Sequence, residues 1–165
     1  MATTYEPIAT TTLGSAQSNV TFSSIPGTYT DLVAVINASA STTAQAWFNT
    51  NVSGSNLFSD TRLSGDGSSA TSARRSSQDE SVMTLAGEVG TTAHSFTAII
   101  HFMNYANTTT YKTIIWRTGD AGGSTTAGVG LRRDTSAINS ITFDLSSTPT
   151  YSAGSTFTLY GIASA

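Results

Sequence analysis

The chain has 165 residues, of which 38% are hydrophobic and only 10% are charged, and its formal net charge is -3. Globular proteins carry about 25% charged residues, and here Ser and Thr, one residue in three, replace the missing charges. This composition gives no basic field for nucleic acid, no run of about 18 apolar residues to span a membrane, and, without Cys, no disulfide, thiolate nucleophile or Cys-based zinc site.

Alternating apolar and polar residues recur along the whole chain, whereas helical periodicity is nearly missing. The segment 6–13, "EPIATTTL", predicts an edge strand, and "NVTFSSI" (19–25) a second strand that ends in the turn "SIPGTY". The stretch "DLVAVIN" (31–37) is apolar on both faces and is therefore predicted to have another layer packed on each side. A short strand follows in "AQAWFN" (44–49).

The second half of the chain continues the same pattern. After "DTRLSG" (60–65), the stretch 66–80 is the longest without an apolar run and is predicted to be a long surface loop. Further strands are predicted in "SVMTLAG", "HSFTAIIHFMNY" (94–105), "YKTIIWRTG" (111–119), "GVGLRRD", "INSITFDL" and "STFTLYGI". These patterns predict one all-β domain over 1–165, an antiparallel β-sandwich of about ten strands, with 1–12 as an edge strand or contact arm.

The sequence offers little for catalysis or for metal binding. His94 and His101 fall on opposite faces of one predicted strand and cannot share a metal ion. "SGDGSS" and "TGDAGGS" lack the ligand spacing of a calcium loop, and no nucleophile elbow or paired-carboxylate motif is present. We therefore expect no enzyme activity, no cofactor and no metal site.

Two arginine doublets are candidates for protein contacts. Arg74 and Arg75 lie in the predicted loop, and Arg132 and Arg133 end the strand "GVGLRRD". Exposed ion pairs contribute little in a monomer, but arginine is favoured at interfaces because its planar head donates several hydrogen bonds. With the amino-terminal strand, the expected contact residues are Tyr5, Pro7, Arg74, Arg75, Arg132 and Arg133.

Several segments, in this order along the chain, resemble small structural proteins of tailed bacteriophages. They are "YEPIATTTLGSA", "VTFSSIPGTYTDLVAVIN", "SDTRLSGDGSSATSARRSS", "FMNYANTTTYKTIIWRTGD" and "STFTLYGI". Similar segments occur in virion proteins of cyanophages and other marine phages and in terminal domains of tail-fibre proteins.

This resemblance implies a jelly-roll-like sandwich that acts as a non-enzymatic virion building block, often as a homotrimer, with no catalytic residues to carry over. Its expected partners are further copies of itself and the major capsid protein or other virion proteins. The expected location is the phage particle surface, after synthesis in the host cytoplasm. Because no fibre shaft precedes the domain in this sequence, we expect capsid decoration or cementing ahead of a tail appendage.

The hydroxyl-rich composition suits permanent assembly, because surfaces poor in charge pack together without desolvating ions. Two alternatives remain open. A receptor- or carbohydrate-binding module of a tail fibre would need exposed aromatic rings, drawn from Trp47, Trp116, Tyr105, Tyr111 and Tyr151. A polysaccharide hydrolase would need a cleft with paired carboxylates.

Overall fold

The structure, a computed structural model, describes residues 4–51, 56–84, 89–91, 93–146 and 148–163. The described residues form twelve strands. In chain order these are β1 (Tyr5–Thr12), β2 (Asn19–Phe22), β3 (Asp31–Ala38), β4 (Ala46–Thr50), β5 (Phe58–Gly65), β6 (Ala70–Gln78), β7 (Ser81–Val82), β8 (Phe96–Phe102), β9 (Lys112–Asp120), β10 (Thr125–Arg132), β11 (Ile141–Leu145) and β12 (Thr156–Ile162).

The strands form two antiparallel sheets. The large sheet has eight strands in the order β1-β12-β3-β8-β9-β10-β5-β6, and the small sheet has four in the order β2-β11-β4-β7. Apolar residues alternate along the strands, so each sheet buries one face against the other. This confirms the predicted all-β antiparallel sandwich, with two strands more than expected.

The strand order shows a jelly roll with an extension. Without β5, β6, β9 and β10, eight strands remain, and we count them 1 to 8 in chain order. Their order is then 1-8-3-6 in the large sheet and 2-7-4-5 in the small sheet. That order is the double Greek key of a jelly roll. The two added hairpins, β5–β6 and β9–β10, pair with each other through β10 and β5, and they widen only the large sheet.

Aromatic rings join the two sheets in the core. Phe48 of the small sheet makes edge-to-face contacts with Phe58, Phe102 and Trp116 of the large sheet, at centroid distances of 6.1, 5.6 and 5.8 Å. Such pairs contribute about 0.5–1.5 kcal/mol each beyond the area that they bury. The extension is therefore fixed to the jelly-roll core through Phe58 and Trp116.

Trp116 lies flat on the neighbouring strand because that strand carries glycine below the ring. A Cβ atom on Gly128 would overlap the indole of Trp116. The indole Nε1 donates a hydrogen bond to the carbonyl of Met83 at 3.0 Å. The "GVG" of β10 is thus a packing feature of the inner face.

The prediction of a long surface loop at 66–80 is wrong over most of its length. Residues Ala70–Gln78 form β6, which pairs with β5, and residues 66–69 form the tight turn between the two strands. This strand could not be predicted from the sequence, because polar and small residues occupy both of its faces and no alternation of apolar and polar residues is present.

Candidate assembly surface

The large sheet has a second face, directed away from the small sheet, which we call the outer face. Strand register places its residues in rows that run across the sheet. One row reads Thr61, Val129, Ile115, His101, Val33, Tyr160, Pro7. The next reads Leu63, Ala127, Arg117, Ile99, Val35, Thr158, Thr10.

An apolar patch occupies the outer face of the extension. Leu63, Ile115, Val129 and Leu131 are 65%, 44%, 47% and 46% exposed, although they are neighbours on three adjoining strands. With strands about 4.8 Å apart and residues about 3.3 Å apart, this patch and the flanking Ile99 span roughly 300 Å². An apolar patch of roughly this size is comparable with the largest patch on a typical monomeric protein, which is often functional.

A shallow groove of about 400 Å³ runs beside this patch across the middle of the outer face. Its lining residues are Tyr5, Val33, Ile99, His101, Ile115, Trp116, Arg117 and Ala127. The sequence predicts packing on both faces of β3, but no described layer covers its outer face. Val33 is nevertheless only 6% exposed.

On the β1 side of the groove, hydroxyls replace the apolar side chains. Thr10 donates a hydrogen bond to Thr158 across the β1–β12 pair at 3.2 Å, and Thr12 and Thr156 continue the same ladder. The outer face is therefore apolar on the extension and hydroxylated on the jelly-roll core, with few charges on either half.

The charges that the outer face does carry are mostly basic. Asp31 Oδ2 lies 3.0 Å from His101 Nε2, and Asp31 Oδ1 accepts a hydrogen bond from the backbone of Asn104 at 2.6 Å. The side chain of Arg117 is exposed, and it makes no hydrogen bond or ion pair with the described residues. Charged groups at an interface set the orientation of a partner more than they add affinity.

The expected contact residues of the amino-terminal strand lie on this face. Tyr5 is 58% exposed and packs edge-to-face on Tyr160 with the ring centroids 6.2 Å apart. Pro7 is exposed next to a bulge in the β1–β12 pairing. The structure thus brings Tyr5 and Pro7 together at the hydroxylated end of the outer face.

The first arginine doublet divides between the two sides of β6. Arg74 is exposed and lies opposite Thr61 on the outer face. Arg75 points inward, donates to Asp60 at 3.1 Å and to the carbonyl of Glu80 at 2.9 Å. Its guanidinium lies 4.9 Å from the ring centroid of Trp47. Only Arg74 is free to meet a partner in this arrangement.

The second doublet is held within the chain. Arg132 is 1% exposed and forms an ion pair with Asp134 at 2.6 Å. Arg133 donates to the hydroxyl of Ser59 and to the carbonyl of Asn56, the latter at 3.2 Å. Arg132 is therefore a core residue of the extension, and Arg133 fastens the strand end to β5.

The aromatic residues that a glycan platform would need are mostly inside the protein. Tyr105 and Tyr151 are fully buried and Trp116 is 2% exposed, whereas Tyr111 is 60% exposed. Trp47 is half-buried and stacks with an arginine rather than presenting an open ring face. These five residues do not form a common exposed platform.

A carboxylate pair does flank a depression of about 300 Å³ on the small sheet. The depression is lined by Trp47, Glu80, Asp144, Leu145 and Ser146. Burial, followed by the nearby charge of Asp144, raises the pKa of Glu80. Glu80 and Asp144 are the two acidic residues among the five that line this depression.

The Asp-Gly segments are tight turns. Asp66 Oδ1 accepts hydrogen bonds from the backbone amides of Ser68 and Ser69 at 2.9 and 2.7 Å. These bonds, with those from the two serine hydroxyls, lower the pKa of Asp66 well below its usual range. Asp120 caps the β9–β10 turn through the amide of Gly122. No group of three potential metal ligands occurs among the described residues.

His94 and His101 are separated by the fold. His94 lies two residues before the start of β8, outside the strand that the sequence predicts for it, and His101 lies within β8 on the outer face.

Sequence reasoning missed the residues that define the outer face. Leu63, Val129 and Leu131 alternate with Arg62, Gly128 and Gly130, and that alternation indicates strands without saying which side is covered. A usable signal lies in the glycines of β10. Glycine is depleted in strands, and Gly128 and Gly130 point inward here, where the indole of Trp116 lies close to both.

Comparison with known proteins adds no family to this geometry. Neither a scan against protein-family models nor a search of curated protein sequences finds a match. None of the described residues belongs to a helix long and apolar enough to cross a bilayer.

Proposed function

We propose that the protein is a non-enzymatic structural component of a tailed-phage virion that assembles through the outer face of its large sheet. The observation that carries the proposal is the apolar patch of Leu63, Ile115, Val129 and Leu131 on a sheet face that no described element covers. Copies of the same chain and a capsid or other virion protein are the partners that this function requires.

The size of the outer face is adequate for a stable interface. Eight strands about 4.8 Å apart and seven residues about 3.3 Å apart give roughly 900 Å², close to the ~800 Å² that each partner buries in a standard interface. Its apolar half lies on the extension and its hydroxylated half on the jelly-roll core, so the face combines the apolar and polar areas that protein interfaces contain.

The fold supports the same function by analogy. Jelly rolls are frequent in viral capsid proteins, although they also occur in lectins and other binding proteins. A fold alone does not specify a function. The exposed face and the low charge content of the chain favour the structural role over a ligand-binding one.

Substitution of Val129 by Asp tests the proposal. A carboxylate at the centre of the patch would be buried unpaired in the assembly, so we expect the variant to stay folded, to lose association through the outer face and to sediment as a smaller species than the wild type. Sedimentation velocity gives the oligomeric state, and far-ultraviolet circular dichroism verifies the fold. The matched control is Thr21→Asp, at an exposed strand position of the small sheet. A wild-type chain that is monomeric at every concentration would contradict the proposal.

Quantitative mass spectrometry of purified particles tests the virion assignment separately. We expect the chain in stoichiometric amounts, with hundreds of copies indicating the head and tens indicating the tail. Its absence from washed particles would refute a structural role in the virion.

A further inference from the structure

Strand β6 ends the large sheet and has a free edge. It pairs with β5 on one side, and no other described strand pairs with it. None of its nine residues is buried, since seven are exposed and two are half-buried. A long strand held on one side only offers unpaired backbone groups to another chain.

The β5–β6 turn shows which backbone groups are free. The amide of Asp66 donates to the carbonyl of Ser69 at 3.2 Å. In an antiparallel ladder, hydrogen-bonded and non-hydrogen-bonded pairs alternate. Counting from this bond, the backbone N–H and C=O groups of Thr71 and Ala73 form hydrogen bonds with β5. The backbone N–H and C=O groups of Ala70, Ser72 and Arg74 therefore point to the free edge.

The opposite edge of the sheet is protected against pairing. Pro7 of β1 has no N–H to donate, and the register shifts between Pro7 and Ala9. Such a proline and bulge are common means of blocking an edge strand. On β6, the register is regular from Ala70 to Arg75, and its own irregularity begins only after that segment. The two edges of the large sheet thus differ, and β6 is the open one.

We propose that β6 pairs antiparallel with β6 of a second copy about a two-fold axis at Ser72. This arrangement places Ser72 opposite the second copy's Ser72, and Ala70 opposite the second copy's Arg74. The three residues with outward groups then form three hydrogen-bonded pairs, with two bonds each. The contact is isologous and closes with two copies.

The charges of β6 are compatible with this pairing. Arg74 faces a small uncharged residue, and the two Arg74 positions are four residues, or about 13 Å, apart along the strands, which exceeds the Debye length of about 8 Å at physiological ionic strength. Arg75 points inward and its guanidinium is paired with Asp60. No like charges are opposed in the register centred on Ser72.

This inference rests on the proposed function in treating the chain as a self-assembling building block, but it uses a different surface. The two-fold axis is perpendicular to the sheet, so the outer faces of both copies lie on the same side. Two eight-stranded sheets would become one sheet of sixteen strands, and the two apolar patches would lie on the same side of it, separated by the two β6 strands, where one virion protein could contact both.

A single cysteine tests the register, because the natural chain has none. Residues in a hydrogen-bonded antiparallel pair have Cα atoms about 5.5 Å apart, within the range that a disulfide spans. Ser72→Cys should therefore form a disulfide-linked dimer under mild oxidation in dilute solution. Ser68→Cys, in the exposed turn of the same hairpin, is the control and should stay monomeric on a non-reducing gel. Equal cross-linking of both variants, or none by Ser72→Cys, would overturn the proposal.

Ser72→Pro supplies an independent measurement. The proline removes one outward N–H per copy and leaves the bonds to β5 intact, so we expect the dimer to weaken roughly tenfold to a hundredfold. Ser72→Ala keeps the N–H and should bind as the wild type does. Loss of particle binding by Ser72→Pro without any wild-type dimer would show that a strand of another protein occupies the edge, and would reject the second copy as its occupant.

The two proposals can fail separately. If Ser72→Cys does not cross-link while Val129→Asp still abolishes assembly, the edge pairing is wrong and the proposed function stands. If Ser72→Cys cross-links but Val129→Asp assembles normally and particles lack the chain, the edge pairing stands and the proposed function is wrong.

Discussion

Two buried cations organise the segment that follows β10. The Nζ of Lys112 donates to the carbonyls of Thr110 and Thr135 at 2.9 and 2.8 Å, and burial lowers the pKa of this lysine. Next to it, Arg132 is paired with Asp134. The doublet "RR" therefore has one arginine inside the protein, where its charge is matched by a carboxylate of the same segment.

Replacing Asp134 by Asn should destabilise the fold in a pH-dependent way. The amide of Ser136, followed by Arg132, lowers the pKa of Asp134 in the folded state. The ionised carboxylate thus adds stability that is fully present above its ordinary pKa near 3.8 and is lost as the pH falls through the lower folded value. We expect Asp134→Asn to lose about 2 kcal/mol at neutral pH, because it leaves a buried guanidinium without its counter-charge.

Urea unfolding at neutral and strongly acidic pH measures this effect. The difference between wild type and Asp134→Asn should narrow as the pH falls below about 4. Asp120→Asn, in the exposed β9–β10 turn, is the control and should change stability little. A difference that stays constant over the whole pH range would mean that the ion pair with Arg132 contributes nothing.

At the scale of the strand, Asp60 joins β6 to the body of the protein. Its side chain is fully buried and accepts hydrogen bonds from Arg62 and Arg75, both at 3.1 Å. Strand β6 is thus attached on its inner side by charge, whereas β5 is also held by the apolar packing of Phe58. Removing one member of a buried ionic cluster costs about 3–5 kcal/mol because the others stay buried without a partner.

Asp60→Asn should therefore loosen β6 before it unfolds the sandwich. We expect amide hydrogen exchange to become faster at Thr71 and Ala73, which bond to β5, while the amides of β3 and β12 keep their protection. Asp66→Asn, in the exposed turn of the same hairpin, is the comparison. Unchanged exchange in β6 would show that the hairpin is held by its backbone bonds alone.

The sequence predicts strands well where one face is apolar. The predicted segments 31–37 and 111–119 correspond to β3 and β9 within one residue at each end, because Leu32, Ile114 and their neighbours alternate regularly. It fails for β6, whose inner face carries Thr71, Ala73 and Arg75 and gives no apolar signal. The pairing of β10 with β5 could not be predicted from the sequence either, since local patterns contain no information on which distant strands become neighbours.

The contact role expected for Tyr5, Pro7 and Arg74 stays a prediction. Tyr5 and Pro7 lie on the outer face of the large sheet, and Arg74 borders it. The apolar patch was not predicted, because exposed Val129 and buried Phe157 look alike in a sequence, and only the sheet order shows that no described layer faces Val129.

For the whole molecule, the division of the outer face into apolar and hydroxylated halves determines how assembly should respond to salt. Screening weakens interactions between exposed charges and leaves apolar contacts and hydroxyl hydrogen bonds nearly unaffected. We expect the association constant of the wild type to stay almost constant from low salt to molar NaCl, as measured by sedimentation equilibrium. Arg117→Gln should show the same flat response, and a steep loss of association with salt would contradict an assembly surface of this kind.

The pairing of β1 with β12 joins Tyr5 to Ile162, so the two ends of the chain meet in one sheet, and β12 also separates β1 from β3. During synthesis on the ribosome, β1 and β3 emerge well before β12, the strand that later lies between them. Non-local pairings of this kind fold slowly. The proline of β1 lacks only an N–H that faces away from β12, so the side of β1 that β12 later occupies stays open to another nascent chain until β12 is synthesised.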